Sequence, residues 1–180
     1  MASLPRGERL AMDVVLTGVE STGKSTLAQA LAARLGRPCV PEVARSYLAL
    51  RGGRYDEGDL LAIARRQWAW ARWAEGPAVL DTDLWTLVIW AEVRFGRVDP
   101  WLRAAAAAQG PRIYLLCEPD LPWVEDPLRE HPSPEARAAL HGRYAAMLAA
   151  EAWPWVRLRG SGPDRLAAAE AALADHGLLP

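Results

Sequence analysis

Short apolar runs alternate with longer stretches of helical spacing along the whole chain. Residues 13–17, Asp-Val-Val-Leu-Thr, have the length and composition of a buried strand. Over 24–35, Leu27, Leu31 and Leu35 fall at i, i+4 and i+8, and Gly36 stands where such a helix would close. A second strand is predicted over 38–41, then a helix over 42–50 stopped by Gly52 and Gly53. Residues 59–74 carry an apolar stripe of Leu60, Ile63, Trp70 and Ala74, with Gln67 in it where a core residue belongs. A third strand, 78–80, runs into Asp81-Thr82-Asp83. Residues 84–95 are apolar nearly all round, which predicts a buried helix or one through which the chain oligomerises. Asp99 and Pro100 read as the N-cap and first position of an Ala-rich helix. Strands follow over 112–117 and 155–158, and helices over 134–152 and 163–175.

Strand and helix alternate throughout, which predicts an α/β fold with a parallel sheet and helices on both faces. Ligands of such folds bind beyond the carboxyl ends of the strands. One stretch breaks the rhythm. Between Glu118 and Arg137 there are five prolines, and a long loop inside a compact domain usually serves as a lid or binding segment. The expected organisation is an N-terminal extension, 1–12, and a single domain, 13–180, with a lid at about 118–137.

Composition narrows the choice of partner. A net charge of −1 in 180 residues offers no broad basic face for nucleic acid. No apolar run approaches the roughly 18 residues of a membrane span, and the first dozen residues lack the apolar segment of a secretory signal. A cytoplasmic protein acting on a small molecule is expected. Cys39 and Cys117 lie in strand-like segments and read as buried, reduced thiols. His131, His141 and His176 have no ligand spacing. The chain has no Asn, and its 21 basic residues include a single lysine, Lys24.

That lysine stands inside Gly18-Val19-Glu20-Ser21-Thr22-Gly23-Lys24-Ser25, a full match to the G-x-x-x-x-G-K-[ST] phosphate loop, with a predicted strand before it and a helix after. Glycines let the backbone bend around phosphate oxygens, and successive N–H groups at a helix N-terminus then face the anion. The residues expected to hold nucleotide are Gly18, Glu20, Ser21, Thr22, Gly23, Lys24, Ser25 and Thr26. Lys24 would place a mobile point charge on the β- and γ-phosphates, where the planar fork of arginine does not substitute freely. Ser25 would ligate Mg²⁺. ATP and Mg²⁺ are therefore the expected cofactors, within a P-loop NTPase three-layer sandwich built on a five-stranded parallel sheet. A guanine-reading Asn-Lys-x-Asp motif is impossible without Asn, which disfavours a GTPase.

Acidic residues close two of the predicted strands. Glu42 follows the second, with Arg45 just beyond it, and Asp81 and Asp83 follow the third. In an extended segment residues two apart share a face, so Asp81 and Asp83 are expected to point the same way. Adjacent strands lie about 4.8 Å apart, which brings these carboxylates near the phosphate loop as metal-shell groups or proton acceptors. The competing reading is that they are helix caps or turn residues.

Five segments in this order resemble a known family: Gly-Val-Glu-Ser-Thr-Gly-Lys-Ser-Thr-Leu (18–27), Val-Pro-Glu-Val-Ala-Arg (40–45), Gln67, Asp-Thr-Asp-Leu (81–84) and Pro-Asp-Leu-Pro-Trp-Val-Glu-Asp-Pro-Leu-Arg (119–129). Together they are similar to the ribosylnicotinamide kinase domain of the NadR proteins, over nearly the whole chain. The resemblance implies a nucleoside-kinase-like fold and transfer of the ATP γ-phosphate to the 5′-hydroxyl of nicotinamide riboside, giving nicotinamide mononucleotide. It implies catalytic roles for Lys24, Asp81, Glu42 and Arg129, and metal roles for Ser25, Asp81 and Asp83. Glu42, Arg45, Gln67, Trp123 and Asp126 would meet the acceptor. Members of the family often carry Asp-Gly before the lid arginine, whereas this chain has Asp126-Pro127, and proline fixes φ near −65°. Full-length NadR proteins carry an adenylyltransferase domain ahead of the kinase, and no such domain is expected here.

The cationic ring of nicotinamide riboside would be held by aromatic faces. Trp123 is the first choice among nine tryptophans because the motif places it, with Tyr47, Trp68 and Trp85 behind it. Arg137 and Arg143 are lesser lid arginines, and 159–162 would border the adenine by position. Two other readings stay open: a P-loop kinase for another nucleoside or small molecule, and an ATP-binding regulatory module with little catalysis.

Overall fold

Five of the apolar runs lie side by side in one sheet. The computed structural model describes residues 11–130, 133–151 and 153–179. The strands are β1 (Asp13–Thr17), β2 (Cys39–Val40), β3 (Val79–Asp81), β4 (Arg112–Cys117) and β5 (Trp155–Leu158), all parallel, in the order β2-β3-β1-β4-β5. Seven helices are present among the described residues. They are α1 (Lys24–Leu35), α2 (Val43–Leu50), α3 (Glu57–Trp73), α4 (Leu84–Phe95), α5 (Pro100–Ala107), α6 (Pro134–Ala150) and α7 (Gly162–Asp175). The expected α/β sandwich is thus the observed one. Of the expected N-terminal extension, residues 1–10 lie outside the described residues, as do His131 and Ala152.

The sheet is buried on both faces, which is why its strands read as nearly unbroken apolar runs. Every residue of β4 is buried. Alternate side chains enter opposite cores. Val15, Tyr114 and Leu116 join α2 to α6 on one side, and Val14, Leu16, Ile113 and Leu115 join α1 and α7 on the other. Cys117 is buried and Cys39 half-buried, both free thiols, and burial pushes the Cys117 thiol up to about 11.

Helix α3 departs from expectation at both ends. It begins at Glu57, two residues early, because Asp56 and Asp59 form a capping box, each carboxylate accepting the other's backbone N–H. Its buried face is Leu60, Ile63, Ala64 and Gln67, while Trp70 is 41% exposed and Trp73 79%, so these two rings lie outside the core. Helix α4 is buried from Leu84 to Ile89 against α3, α5 and α6, so its all-round apolarity is accounted for within one chain. Among the described residues no helix is long and apolar enough to cross a membrane.

Strand order directs attention to one place. β1 has β3 on one side and β4 on the other, so the chain leaves β1 in one direction and later returns on its far side. The crevice at the carboxyl end of such a strand is where open α/β sheets bind ligands.

Candidate active site

The loop 18–23 fills that crevice, between the end of β1 and the start of α1. Gly18 has φ +121°, and a Cβ there would sit 2.8 Å from the carbonyl oxygen of Cys117, so both backbone and space require glycine. Gly23 caps α1 with φ +74° and leaves the first N–H groups of the helix facing outward. The carbonyl of Val19 ties the loop together, accepting from the Thr22 hydroxyl at 2.8 Å and from Lys24 Nζ at 2.7 Å. Buried Arg165 of α7 buttresses the loop from beneath, donating to the Thr22 carbonyl and pairing with Asp120. Arg165 was not anticipated from the sequence, where it is one arginine among many.

A cavity of about 470 Å³ opens over this loop, lined by all eight residues expected to hold nucleotide. This volume is in the range of small-molecule sites. Glu42, Arg45 and Arg129 line the same cavity. The rest of its wall is Thr82, Thr86 and Gln29 with an apolar and aromatic set, Ala44, Leu48, Ile89, Trp90, Leu128, Leu140 and Tyr144. None of that set was anticipated as a site residue. Trp90 was hidden in a helix apolar on every side. Tyr144 could have been found from its spacing seven residues after Arg137 on α6, since both sit on the buried face.

The three carboxylates part company. Glu42, at the N-cap position of α2, lines the cavity and makes no side-chain cap hydrogen bond. Loss of hydration raises its pKa, with Lys24 attraction working against that and Asp81 reinforcing it. Asp81 is buried, 4% exposed, with Oδ1 lacking a hydrogen-bond partner among the described residues.

Asp83 does not share Asp81's direction, contrary to the extended-chain expectation. Thr82 between them has φ +71°, an outlying conformation for a β-branched residue, and the alternation of faces is broken there. Asp83 instead caps α4 through Trp85 N–H at 3.0 Å. Its other oxygen accepts from Arg112 at 2.9 Å, Tyr114 OH at 2.8 Å and Gln109 Nε2 at 3.1 Å. All four partners are buried, and both carboxylate oxygens are engaged by the protein itself. The assignment of Asp83 to the metal shell is corrected accordingly.

Two acceptor-site expectations are also corrected. Gln67 does not line the cavity. Its Oε1 accepts from Val43 N–H at 2.9 Å and its Nε2 donates to the Pro41 carbonyl at 3.3 Å, so its amide is spent on backbone. Trp123 has two guanidinium groups over its ring, Arg129 at 5.7 Å and Arg137 at 5.5 Å from the ring centre, and is absent from the cavity lining. Tyr47 bonds Asp59, Trp85 is in the core, Trp68 packs against it, and Arg143 is exposed. Residues 159–162 stand away from the cavity lining, with Gly160 N–H donating to Asp120 at 2.8 Å.

The lid segment rests on the phosphate loop. The Ser21 hydroxyl accepts from Val124 N–H at 3.1 Å and donates to the Pro122 carbonyl at 3.3 Å. Arg129 approaches the same hydroxyl at 3.5 Å and donates to the Val124 carbonyl. Arg137 reaches the carbonyls of Glu20 and Ser21 at 3.5 and 3.4 Å. Asp126 shapes the turn that follows, accepting from Leu128 N–H at 2.9 Å and pairing with Arg45, and these contacts hold its pKa below the usual carboxylate range. Pro127 is accommodated in that turn, with Leu128 delivered to the cavity.

Mg²⁺ fits these residues. The donors would be the hydroxyl of Ser25, which lines the cavity at the start of α1, and Asp81 Oδ1, which is outside the cavity lining and has no partner among the described residues. No group of three or more His, Cys, Asp or Glu suited to a metal exists among the described residues.

Comparison with known proteins agrees with this architecture. A solved structure of a NadR protein in complex with NR has a TM-score of 0.73 at 21% identity, over 97% of this chain and 54% of that one. A NadR protein in complex with NAD and AMP-PNP gives 0.72 at 22%, over 97% and 52%. Thymidylate kinase from Ehrlichia chaffeensis gives 0.65 at 10%, over 91% and 97%. At these identities the likeness is one of fold, and the chain spans about half the length of the NadR proteins. No curated protein matches the sequence. A family model described as AAA domain matches residues 13–165, and the chain belongs to that family.

Proposed function

We propose that this chain is an ATP-dependent kinase that transfers the γ-phosphate to the 5′-hydroxyl of nicotinamide riboside. The observation that carries the reading is a single cavity shared by a complete phosphate loop, a carboxylate at an N-cap position that makes no cap hydrogen bond, and an aromatic wall. Fold likeness to a NadR protein in complex with NR supports the choice of acceptor. The cationic ring of the acceptor would lie against Trp90 and Tyr144, which replace Trp123 in that role. The kinase domain would span 13–180, with its lid at about 118–137.

Little covalent work falls to the protein in phosphoryl transfer, so catalysis is positioning and electrostatics. The outward N–H groups of the loop and the start of α1 receive phosphate oxygens. Lys24 exchanges the Val19 carbonyl for the β- and γ-phosphates. Arg129, already at the mouth of the loop, stabilises charge on the transferred group. Glu42 accepts the proton of the attacking hydroxyl. Ser25 and Asp81 would hold Mg²⁺, which neutralises phosphate charge.

Burial raises the pKa of Glu42, and a higher pKa makes a stronger base. The base works deprotonated, so the rate falls as pH drops through its pKa. That acid limb is expected above the pH at which an ordinary glutamate titrates, and Glu42→Gln is expected to abolish it. A limb unchanged in Glu42→Gln would place the base elsewhere. Asp81→Asn is expected to lower kcat about 10²-fold while changing ATP affinity little. Parallel losses in both would mean a structural role. The reading as a whole is tested by ADP release with Mg-ATP and a panel of nicotinamide riboside, other nucleosides and no acceptor. Stimulation by a different nucleoside alone would change the substrate, and ATP binding without stimulation would favour a regulatory module.

A further inference from the structure

Glu42 occupies an N-cap position yet does not cap. A helix opens with N–H groups that have no partner within it, and the N-cap side chain ordinarily accepts from one of them. In α2 the side chain of Glu42 makes no such bond, with backbone φ −66° and ψ 113°. The N–H of Val43, the first residue of the helix, donates to Gln67 Oε1 from α3 at 2.9 Å. The other end of the same amide donates to the carbonyl of Pro41 at 3.3 Å. One buried side chain, 3% exposed, therefore grips the backbone on both sides of Glu42. An amide buried without partners is costly, so both bonds resist displacement and the 41–43 segment is held in one conformation.

We propose that Gln67 is a positioning residue: by clamping Pro41 and Val43 it fixes the backbone on both sides of Glu42 and directs the Glu42 carboxylate into the cavity. The inference rests on the proposed role of Glu42 as proton acceptor. Gln67 touches neither cavity nor substrate and acts through Glu42. Glutamine is specific to the task, because the task needs one acceptor and one donor on a single planar group. Methionine matches its length and fills the same space without either bond. Without the clamp, Glu42 is free to turn its carboxylate back onto the first turn of α2.

The test is a double-mutant cycle of Gln67→Met and Glu42→Gln, read as acceptor-dependent ADP release and as ATP affinity. Gln67→Met is expected to lower kcat/KM for the acceptor at least about 10-fold with ATP affinity within about twofold. In the Glu42→Gln background the same substitution is expected to cost nothing further, because its target is gone. An equal loss in both backgrounds, or a parallel loss of ATP affinity, overturns the proposal. A second readout is independent of turnover: titration of the Glu42 carboxyl by NMR with carbon-13-labelled glutamate. In Gln67→Met its pKa is expected to fall towards that of an exposed glutamate, and an unchanged value also overturns the proposal. Absence of turnover in the parent chain would therefore count against the kinase reading alone. If Gln67→Met fails to fold, Gln67→Glu, which keeps the acceptor but loses the donor to Pro41, carries the same measurements.

Discussion

Lys24→Ala is expected to lower acceptor-dependent ADP formation about 10³-fold or more, while the fold and melting temperature stay close to those of the parent. On the proposed mechanism the size follows from removing the mobile cation that would reach the β- and γ-phosphates, in a site working by electrostatic preorganisation. The fold is spared because the Lys24 side chain bonds only the Val19 carbonyl, and Thr22 keeps that carbonyl engaged. Lys24→Arg is expected not to rescue activity, since a planar fork cannot occupy the same point. Steady-state ADP release and a thermal melt, run on the same preparations, check both halves. Near-normal turnover in the alanine variant would remove the phosphate loop from the mechanism. Loss of fold would show that the Val19 contact matters more to stability than its geometry indicates.

The second large effect concerns stability. Arg112→Met is expected to destabilise the protein by about 3–5 kcal/mol, because it leaves the Asp83 carboxylate buried beside a missing cation. The two side chains are 4% and 1% exposed, so water cannot compensate. In a chain of this size each kcal/mol shifts the melting temperature by about 2–4 °C, which makes the expected drop on the order of 10 °C. Asp83→Asn is expected to behave similarly, without altering the Mg²⁺ concentration needed for half-maximal activity. A changed Mg²⁺ requirement with an unchanged melting temperature would return Asp83 to the metal shell.

The contrast between Asp81 and Asp83 shows where reading a sequence stops short. The architecture was legible because its causes are local. A strand buried on both faces must be apolar along its length, and β4 is. A loop that wraps phosphate needs glycine at fixed places, and Gly18 and Gly23 stand there with positive φ. The two aspartates depend on Thr82, whose left-handed backbone has no signature in a β-branched residue. Gln67 was conspicuous as a polar residue in an apolar stripe. Whether its amide meets a ligand or a backbone, however, is decided by a segment 24 to 26 positions away. Trp123 was likewise conspicuous, but its neighbour Arg137 arrives from α6, 14 positions on. Trp90 and Tyr144 had no motif to mark them. They became site residues only when α4 and α6 closed around the same cavity.

The solitary lysine has a use outside catalysis. An amine-reactive reagent meets one side-chain target in this sequence, and that target lines the nucleotide cavity, with its amine on the Val19 carbonyl. Phosphates seated in the loop would cover it. The yield of modified Lys24, read by mass spectrometry, thereby becomes a direct count of empty sites. Ligands can then be ranked by the protection they give, in crude mixtures and without a coupled assay. No residue needs to be changed or dye attached, because the sequence itself supplies a single-site reporter.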